Sequence, residues 1–472
     1  MKYDLLIKNG HVVDPANAVN GLADVAFSDG KVAEVGADLS LFEARNRLDA
    51  AGLLVVPGVI DPHTHTVRPG SQGSAYKMLL RCGVTTTMDM RGPVETFLEE
   101  MRTVGAGINA ACCNAVFPEK DIPGVKPDGE KIRAFIEKRM QNGAFGIKIM
   151  GGHYPFTPEV TGRIFEECAA LKRYVAIHCG STETGSNIKG LLEAVALAEG
   201  RPLHIAHINA YCRGMVSDVL EETLTAMNAL RDNPNIISES YLSVMNGTYC
   251  TLDSEGNIES RVTRNCLRMR GYPENPAGLE KAILDGYCVV YSLAGGEMQL
   301  LPPKVGHAHW KSFPSCQCTF PVNDAIALVS CATSRRKDGS FVVDGLCSDG
   351  GANPRNVIFR NGLLLVKARY LTLDDLVRKT SLYPARMLGL TGKGHLTPGA
   401  DGDVAVFDPD TGDAVYSLTN GVVRMARGVC ADAPGTVITT ADGVNAVKKA
   451  GLSSLVPNLA DSGFLNRALL TA

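Results

Sequence analysis

The sequence predicts an α/β protein: a (β/α)8 barrel, or TIM barrel, with a flanking β-sandwich built from both chain ends. Eight short runs of buried-type, often β-branched residues alternate with helical stretches through the middle of the chain, and eight is the strand number of that barrel. Short strands separated by hairpin turns recur near both ends. The 472 residues suffice for a barrel and a smaller domain. A doubly wound sheet is the alternative that the alternation leaves open.

The predicted barrel occupies residues 55–397. Its strands cover residues 55–63, 84–89, 108–116, 145–150, 174–178, 203–208, 235–240 and 342–349, and helical stretches cover 130–141, 161–172, 187–198 and 217–230. Residues 244–340, between the seventh and eighth strands, are far longer than an ordinary connection. We therefore expect this insertion to lie over the barrel mouth and to shape the active site.

The two chain ends carry the pattern of antiparallel strands. Residues 1–54 contain the turn pairs Asn9-Gly10 and Asp29-Gly30, which tolerate the positive φ of tight hairpins. Residues 398–430 repeat the pattern, so we predict one β-sandwich domain from both segments. Residues 431–472 are predicted to form a C-terminal helix and tail.

Composition predicts the class of partner. The 47 Lys and Arg against 50 Asp and Glu leave a net charge of -3, which favours a small-molecule substrate over nucleic acid. The longest apolar run, residues 51–60, is too short to cross a membrane, and the N-terminus does not resemble a signal peptide. We expect a cytoplasmic protein with no membrane partner and with its 14 cysteines reduced.

Two pairs of potential metal-binding residues, each separated by one residue, allow more than one interpretation. Cys316 and Cys318 could bind metal or act as a redox pair, but no second cysteine pair is near in sequence, which favours ordinary loop thiols. His307 and His309 follow no apolar strand, so a surface or substrate-contact role is favoured over metal binding.

The main candidate site is a set of side chains at the predicted strand ends. His63 and His65 project to one face of the first strand because they are two residues apart. Further potential ligands end four other strands: Lys148, His178, His207 and Asp349. These ends share one rim of a parallel barrel, where imidazole and carboxylate groups suit two Zn²⁺ ions. His204, three residues from His207, should face the outer helices and be structural.

Lys148 fits such a centre only without its positive charge. Two nearby divalent ions would lower its pKa steeply. The neutral amine could then add carbon dioxide and form a carbamate, an anionic bridge between the metals. A core-edge lysine is the alternative interpretation.

The chain resembles the amidohydrolase superfamily, in the branch of D-aminoacylases, dihydroorotases and hydantoinases. The motifs that carry the resemblance are Pro57-Gly58-Val59-Ile60-Asp61-Pro62-His63-Thr64-His65, Cys82-Gly83-Val84-Thr85-Thr86, Gly146-Ile147-Lys148, Ala176-Ile177-His178, Ile205-Ala206-His207-Ile208, Ser348-Asp349-Gly350 and residues 398–408. The resemblance implies a binuclear centre in which Asp349 and the HxH pair hold the buried metal. His178 and His207 would hold the exposed metal, and carboxylated Lys148 would bridge. Asp349 would also move the proton from the attacking water to the leaving nitrogen.

Three positions depart from patterns within that superfamily. The arginine of dihydroorotases two residues after the HxH pair is Val67 here, with Arg68 one step later. Many D-aminoacylases bridge their metals with a cysteine on the second strand, where this chain has residues 88–91, Met-Asp-Met-Arg. Ser181 replaces the glutamate of adenosine-deaminase-like members, which argues against a purine deaminase.

Three further residues are candidates for supporting roles. Tyr154 follows Lys148 closely, as a tyrosine does in hydantoinases, and could stabilise charge on the carbonyl oxygen; packing is the alternative. Arg213 follows His207 and could bind a substrate carboxylate, although a solvated loop arginine is the ordinary case. Asp61 could orient a ligand histidine.

The resulting prediction is a zinc-dependent hydrolase of non-peptide C–N bonds. An N-acyl-D-amino acid deacylase is favoured, and a cyclic amide hydrolase of the hydantoinase or dihydroorotase type is the nearest alternative. A deaminase and a catalytically silent scaffold are the others, and the intact ligand set argues against a silent scaffold. The resemblance further implies a homo-oligomer.

Overall fold

A closed parallel barrel forms the centre of the computed structural model, which describes residues 2–471. Its strands follow one another in chain order: Val59–His65, Val84–Asp89, Asn109–Val116, Gly146–Met150, Tyr174–His178, Leu203–Ile205, Ile236–Tyr241 and a last strand in two pieces, Gly345–Cys347 and Gly350–Gly351. The first piece pairs with the seventh strand and the second with the first strand, both in parallel. The sheet therefore closes, and the predicted (β/α)8 barrel is confirmed.

Helices connect the barrel strands, and several begin at side chains that cap them. Asp128, Thr157, Asn187 and Asp218 each accept a hydrogen bond from a backbone N–H of the first turn, which stabilises a helix start. The α-helices are Ser74–Leu80, Val94–Val104, Gly129–Gln141, Pro158–Ala170, Ile188–Ala198, Val219–Asp232, Ala325–Thr333, Ile358–Lys367, Leu373–Val377 and Tyr383–Met387. Short 3-10 helices are found at Ile208–Tyr211, Ala441–Gly443 and Leu459–Asp461, and one π-helical turn at Arg378–Leu382. No helix among the described residues is long and apolar enough to cross a membrane.

Both chain ends contribute to one nine-stranded flanking sheet, as predicted. Its strands are Lys2–Asp14, Val19–Ser28, Lys31–Gly36, Glu43–Asp49, Leu54–Pro57, Val404–Phe407, Ala414–Thr419, Val422–Ala426 and Val429–Cys430. The two segments join where Val55 pairs antiparallel with Val406. Both residues belong to one buried apolar cluster with Phe27 and Leu418, so burial of shared apolar surface holds the ends together.

The long connection between the seventh and eighth strands folds into a small unit of its own. It contains a four-stranded antiparallel sheet, Met245–Tyr249, Val289–Ala294, Glu297–Leu300 and Gln317–Pro321, and the helices Arg261–Arg268, Pro276–Leu284 and Pro303–Ser312. A separate apolar core lies within it. Asn246, Tyr249 and Val262 of this unit line a cleft at the barrel rim, so the insertion contributes directly to the candidate site.

The C-terminal segment departs from the prediction of a helix and tail. It has the helices Val444–Lys449 and Ala468–Thr471, but Thr436–Ile438 also pairs in parallel with the barrel strand Asn109–Val116 and with Ser453–Leu455. Strands of three residues are too short to show a period-two pattern. The sequence therefore gave no sign that the barrel sheet extends outward at this strand.

Candidate metal centre

Three predicted ligands meet at the junction of the first and last barrel strands. The Nε2 atoms of His63 and His65 lie 3.6 and 3.0 Å from Asp349 Oδ1. Asp349 stands in the gap between the two pieces of the last strand, with φ of +48°. Its backbone N–H donates to the His63 carbonyl at 3.0 Å. The left-handed backbone conformation of Asp349 thus places its carboxylate against the imidazole rings of His63 and His65.

Glu239, on the seventh strand, supports His63 from behind. Its Oε1 lies 2.6 Å from His63 Nδ1, and both side chains are fully buried. Burial raises the pKa of Glu239 well above its usual range. With Nδ1 engaged, His63 presents Nε2 to Asp349. This role was not predicted from the sequence, although a carboxylate within the otherwise apolar and hydroxyl-bearing strand Ile236–Tyr241 is a visible signal.

The prediction for His204 was wrong about its direction. The ring points into the barrel, where Nδ1 lies 2.9 Å from the Tyr174 hydroxyl and Nε2 lies 3.4 Å from Glu239 Oε1. The strand Leu203–Ile205 ends before His207, which has φ of +67°. Because the chain leaves the β conformation there, the alternation of faces no longer separates His204 from His207.

Asp61 holds the backbone of His63 and not its ring. Its Oδ1 accepts hydrogen bonds from the backbone N–H groups of His63 at 3.2 Å and Ser348 at 3.1 Å, and Oδ2 accepts one from the Ser348 hydroxyl at 2.5 Å. Burial raises the pKa of Asp61 to about 7. This carboxyl ties the first strand to the last strand beside Asp349.

The other two histidines form a second pair next to the first. His207 Nε2 and His178 Nδ1 are 3.0 Å apart, and the His207 ring stacks on that of His63 with centroids 4.9 Å apart. His178 Nε2 lies 2.8 Å from the Ser186 hydroxyl, and His207 Nδ1 lies 3.2 Å from that of Tyr211. Burial lowers the pKa of His207 to about 3, so a nitrogen lone pair is available at neutral pH.

Lys148 lies on the fourth strand beside the His178 strand and is fully buried. Within residues 2–471 its Nζ has no hydrogen-bond partner. Burial lowers the pKa of the amine, while the charges of Glu239 and Asp349 oppose the shift. Carbamate formation requires the uncharged form of the amine, and burial favours that form.

These donors fit a metal site. His63 Nε2 and Lys148 Nζ are buried and have no hydrogen-bond partner among the described residues. Leaving such an atom unpaired costs about 1–3 kcal/mol, which a bound cation would offset. Ligand atoms of His63, His65 and Asp349 all lie within 4.8 Å of one another. A mixed imidazole and carboxylate set suits Zn²⁺ and similar divalent ions.

Arg355 is a site residue that the sequence analysis missed. Its Nη2 lies 2.5 Å from Asp349 Oδ2, its Nε donates to the Asp349 carbonyl at 2.7 Å, and its Nη1 donates to the Met245 carbonyl at 2.7 Å. Burial opposes ionisation of Asp349, but Arg355 and the neighbouring histidines hold its pKa well below the usual range. The carboxylate is therefore ionised and fixed in direction.

Arg213 lines the cleft, and its role as a substrate contact stays a prediction. Its guanidinium donates to three neutral groups: the side-chain carbonyls of Asn323 at 2.8 Å and Asn246 at 3.0 Å, and the hydroxyl of Tyr241 at 2.9 Å. None of these bonds neutralises the charge. Arg213 is thus held in place while its charge remains available to an anionic ligand.

Tyr154 lies at the outer wall of the cleft and is 39% exposed. Its ring packs edge-on against Phe117, with centroids 5.1 Å apart. Burial raises its pKa, so the hydroxyl stays protonated and can donate a hydrogen bond. The oxyanion role of Tyr154 remains a prediction.

Two further residues of the cleft were not predicted as functional. Arg68 is buried and donates to the Tyr249 hydroxyl at 2.6 Å, so it joins the first strand to the insertion. The His153 ring lies 5.6 Å from that of His178, and burial lowers its pKa to about 3. In the sequence, only their positions indicated a role: Arg68 closely follows His65, and His153 closely follows Lys148.

The second HxH pair lies outside this cleft. His307 and His309 belong to the helix Pro303–Ser312, where a spacing of two places side chains on different faces. His307 Nε2 lies 2.7 Å from Glu280 Oε1, and the His309 ring packs against Phe313 at 5.2 Å. These contacts agree with the surface role favoured from the sequence.

Comparisons with known proteins agree with this architecture. The family model described as the amidohydrolase family matches residues 54–207 and 329–447, more than half of the chain. A D-aminoacylase of Alcaligenes xylosoxydans xylosoxydans is 25% identical over 455 residues, covering 87% of this chain and 89% of that protein.

Two solved structures share the fold. The N-acyl-D-glutamate deacylase of Bordetella bronchiseptica superimposes with a TM-score of 0.66 at 18% identity, covering 93% of this chain and 99% of that chain. The dihydropyrimidinase of Brevibacillus agri does so with a TM-score of 0.58 at 17% identity, covering 92% and 97%. Together with the family match and the convergence of the strand-end ligands, these likenesses establish that the chain belongs to the amidohydrolase family.

Proposed function

We propose that this amidohydrolase, a hydrolase of C–N bonds, is a zinc-dependent deacylase of N-acyl-D-amino acids. The observation that carries the proposal is the charge of the cleft over the metal centre. Arg68, Arg91, Arg213 and Arg355 line it, and the single carboxylate of the lining is Asp349. Such a cleft favours a small substrate that bears a carboxylate.

Six residues would hold two zinc ions. His63, His65 and Asp349 would bind the inner ion, His178 and His207 the outer one, and Lys148, as a carbamate formed with carbon dioxide, would bridge them. Bound zinc supplies Lewis-acid chemistry: it polarises the amide carbonyl and makes water acidic enough to attack near neutral pH. The unpaired nitrogens of His63 and Lys148, and the closeness of the His65 ring to Asp349, support this assignment.

Asp349 would move the proton during hydrolysis. Its carboxylate faces the histidines, and the charge of Arg355 keeps it ionised in the resting protein. It would accept a proton from the attacking water and give it to the amide nitrogen as the C–N bond breaks. Tyr154 would donate to the carbonyl oxygen as negative charge develops there.

Arg213 would bind the carboxylate of the amino acid. Its three neutral partners hold the guanidinium still without cancelling its charge. A substrate anchored at this point by its carboxylate presents its amide to the centre in one orientation. Similarity to a D-aminoacylase over most of both chains supports the D configuration.

Cyclic amide hydrolysis is the second candidate. The second barrel strand ends in Asp89, whose Oδ2 already accepts hydrogen bonds from the backbone N–H groups of Thr66 at 2.7 Å and Val67 at 3.1 Å. A bridging group from that strand is therefore absent, and Lys148 is left as the bridge. This arrangement departs from the cysteine bridge of many D-aminoacylases, which keeps the cyclic amide hydrolases of the same branch as the alternative.

A substrate panel would separate the two candidates. Zinc-loaded protein would be assayed for product with N-acyl-D-amino acids, N-acyl-L-amino acids, hydantoins, dihydropyrimidines and amino-heterocycles. Free amino acid from the N-acyl-D series, with loss of turnover in Arg213→Ala, would support the proposal. Ring opening without deacylation would replace it by the cyclic amidase, and ammonia from the heterocycles would indicate a deaminase.

A further inference from the structure

The insertion brings together four cysteines from three separate segments. Cys250 follows the strand Met245–Tyr249, Cys288 precedes Val289–Ala294, and Cys316 and Cys318 lie at Gln317–Pro321. The interpretation of Cys316 and Cys318 as loop thiols without neighbours was wrong. Their partners are near in space and far in sequence, so motif spacing alone could not reveal them.

Three of the sulfur atoms are close enough to share one ligand. The Sγ atoms of Cys250, Cys288 and Cys318 lie within 4.8 Å of one another, and all three residues are buried. Cys316 lies two residues before Cys318, and its carbonyl accepts a hydrogen bond from the Cys250 N–H at 2.9 Å, which places it beside the other three. In a tetrahedral zinc site with Zn–S bonds of about 2.3 Å, the sulfurs are about 3.8 Å apart. Small side-chain rotations would bring these thiols to that spacing.

Backbone pairing already fixes the segments that carry the thiols. Cys318 pairs with Thr248 on one side and Val290 on the other. The Cys250 N–H donates to the Cys316 carbonyl at 2.9 Å. The cluster is therefore built into the small sheet of the insertion, and none of its four thiols lines the catalytic cleft.

We propose that Cys250, Cys288, Cys316 and Cys318 bind one structural zinc ion, separate from the catalytic centre. Five of the 15 buried residues in the core of the insertion are cysteines. Small folded units of this kind are often stabilised by a structural metal. The ion would link three adjacent strands of the sheet, one of which, Met245–Tyr249, carries Asn246 and Tyr249 at the cleft.

Cobalt substitution of the full chain tests this site without relying on activity. Thiolate ligands give Co²⁺ an intense near-ultraviolet charge-transfer band, whereas the proposed catalytic ligands contain no thiolate. We expect the band in reduced, cobalt-loaded wild-type protein and its loss in Cys288→Ser/Cys318→Ser. It should persist in Cys266→Ser, the matched control from the same core.

A wild-type protein without the band, or an unchanged band in the double variant, would overturn the proposal. If the double variant fails to fold, X-ray absorption of the zinc-loaded wild type decides. Zinc–sulfur scattering at about 2.3 Å supports the site, and nitrogen and oxygen ligands alone reject it. A disulfide among the four cysteines in freshly purified protein would also reject it.

Discussion

The two halves of the candidate centre are held in place by different kinds of partner. In the inner half, the buried carboxyl of Glu239 contacts His63 at 2.6 Å and the buried guanidinium of Arg355 contacts Asp349 at 2.5 Å. In the outer half, His178 and His207 contact each other and the hydroxyls of Ser186 and Tyr211. A carboxyl behind a ligand histidine and an ion pair on a ligand carboxylate orient ligands more strongly than hydroxyl partners do. We therefore expect the inner half to bind metal first and more tightly.

The largest expected effect comes from the group that would move the proton. Asp349→Asn should lower kcat about 10²–10⁴-fold, because the amide cannot accept a proton from water. Zinc content should change little, since the amide keeps the shape of the side chain and an oxygen donor, whereas the melting temperature should fall because the buried Arg355 loses its counter-charge. Steady-state rates and zinc analysis would check this, and near-normal turnover would remove Asp349 from the mechanism.

Lys148→Ala tests whether Lys148 contributes to both the inner and the outer metal position. Loss of the bridge should reduce zinc at both positions and abolish turnover, with partial rescue by acetate or propionate if a carbamate is the bridge. Lys379→Ala is a matched control, because Lys379 is also fully buried but donates to the Val343 carbonyl, away from the centre. Unchanged zinc in Lys148→Ala, measured after dialysis, would reject the bridge.

Glu239→Gln should distinguish the halves directly. The substitution keeps the size of the side chain but replaces the carboxyl behind His63 by an amide, and such changes typically weaken metal binding about 10–100-fold. Competition with a chelator should show weaker binding of the first zinc ion and little change in the second. Glu222→Gln, a buried glutamate that accepts from the N–H groups of Gly214 and Val216, serves as control. Equal weakening in both variants would contradict the inner assignment.

A smaller effect is expected from the outer half. At Gly152 a Cβ atom would lie 2.2 Å from His178 Nε2, so Gly152→Ala should displace this ring and weaken only the second zinc ion. Gly162→Ala is the control, because a Cβ there meets only Leu197 at 3.5 Å. Calorimetric zinc titration would report both sites, and an unchanged second site would show that His178 is not a ligand.

The sequence predicted the residues whose position follows from strand order. His63, His65, Lys148, His178, His207 and Asp349 end strands of a parallel barrel, and such ends meet at one rim whatever the details of packing. The flanking sheet was predictable for a related reason, because hairpin turns and alternating residues are local signals.

The residues that the sequence did not predict depend on contacts between distant segments. Glu239 and Arg355 matter because barrel closure places them against His63 and Asp349. His204 was misassigned because the strand ends earlier than its apolar pattern. The cysteine cluster forms only when three strands of the insertion pair in one register, and the spacing of cysteines in the sequence does not predict that pairing.

The most direct measurement of the proposed function compares the hydrolysis of one N-acyl-D-amino acid with that of its L enantiomer by the zinc-loaded protein. The proposal predicts release of the D-amino acid, little or no release of the L-amino acid, and loss of the D activity in Asp349→Asn. Equal hydrolysis of both enantiomers, or D activity that survives in Asp349→Asn, would contradict it.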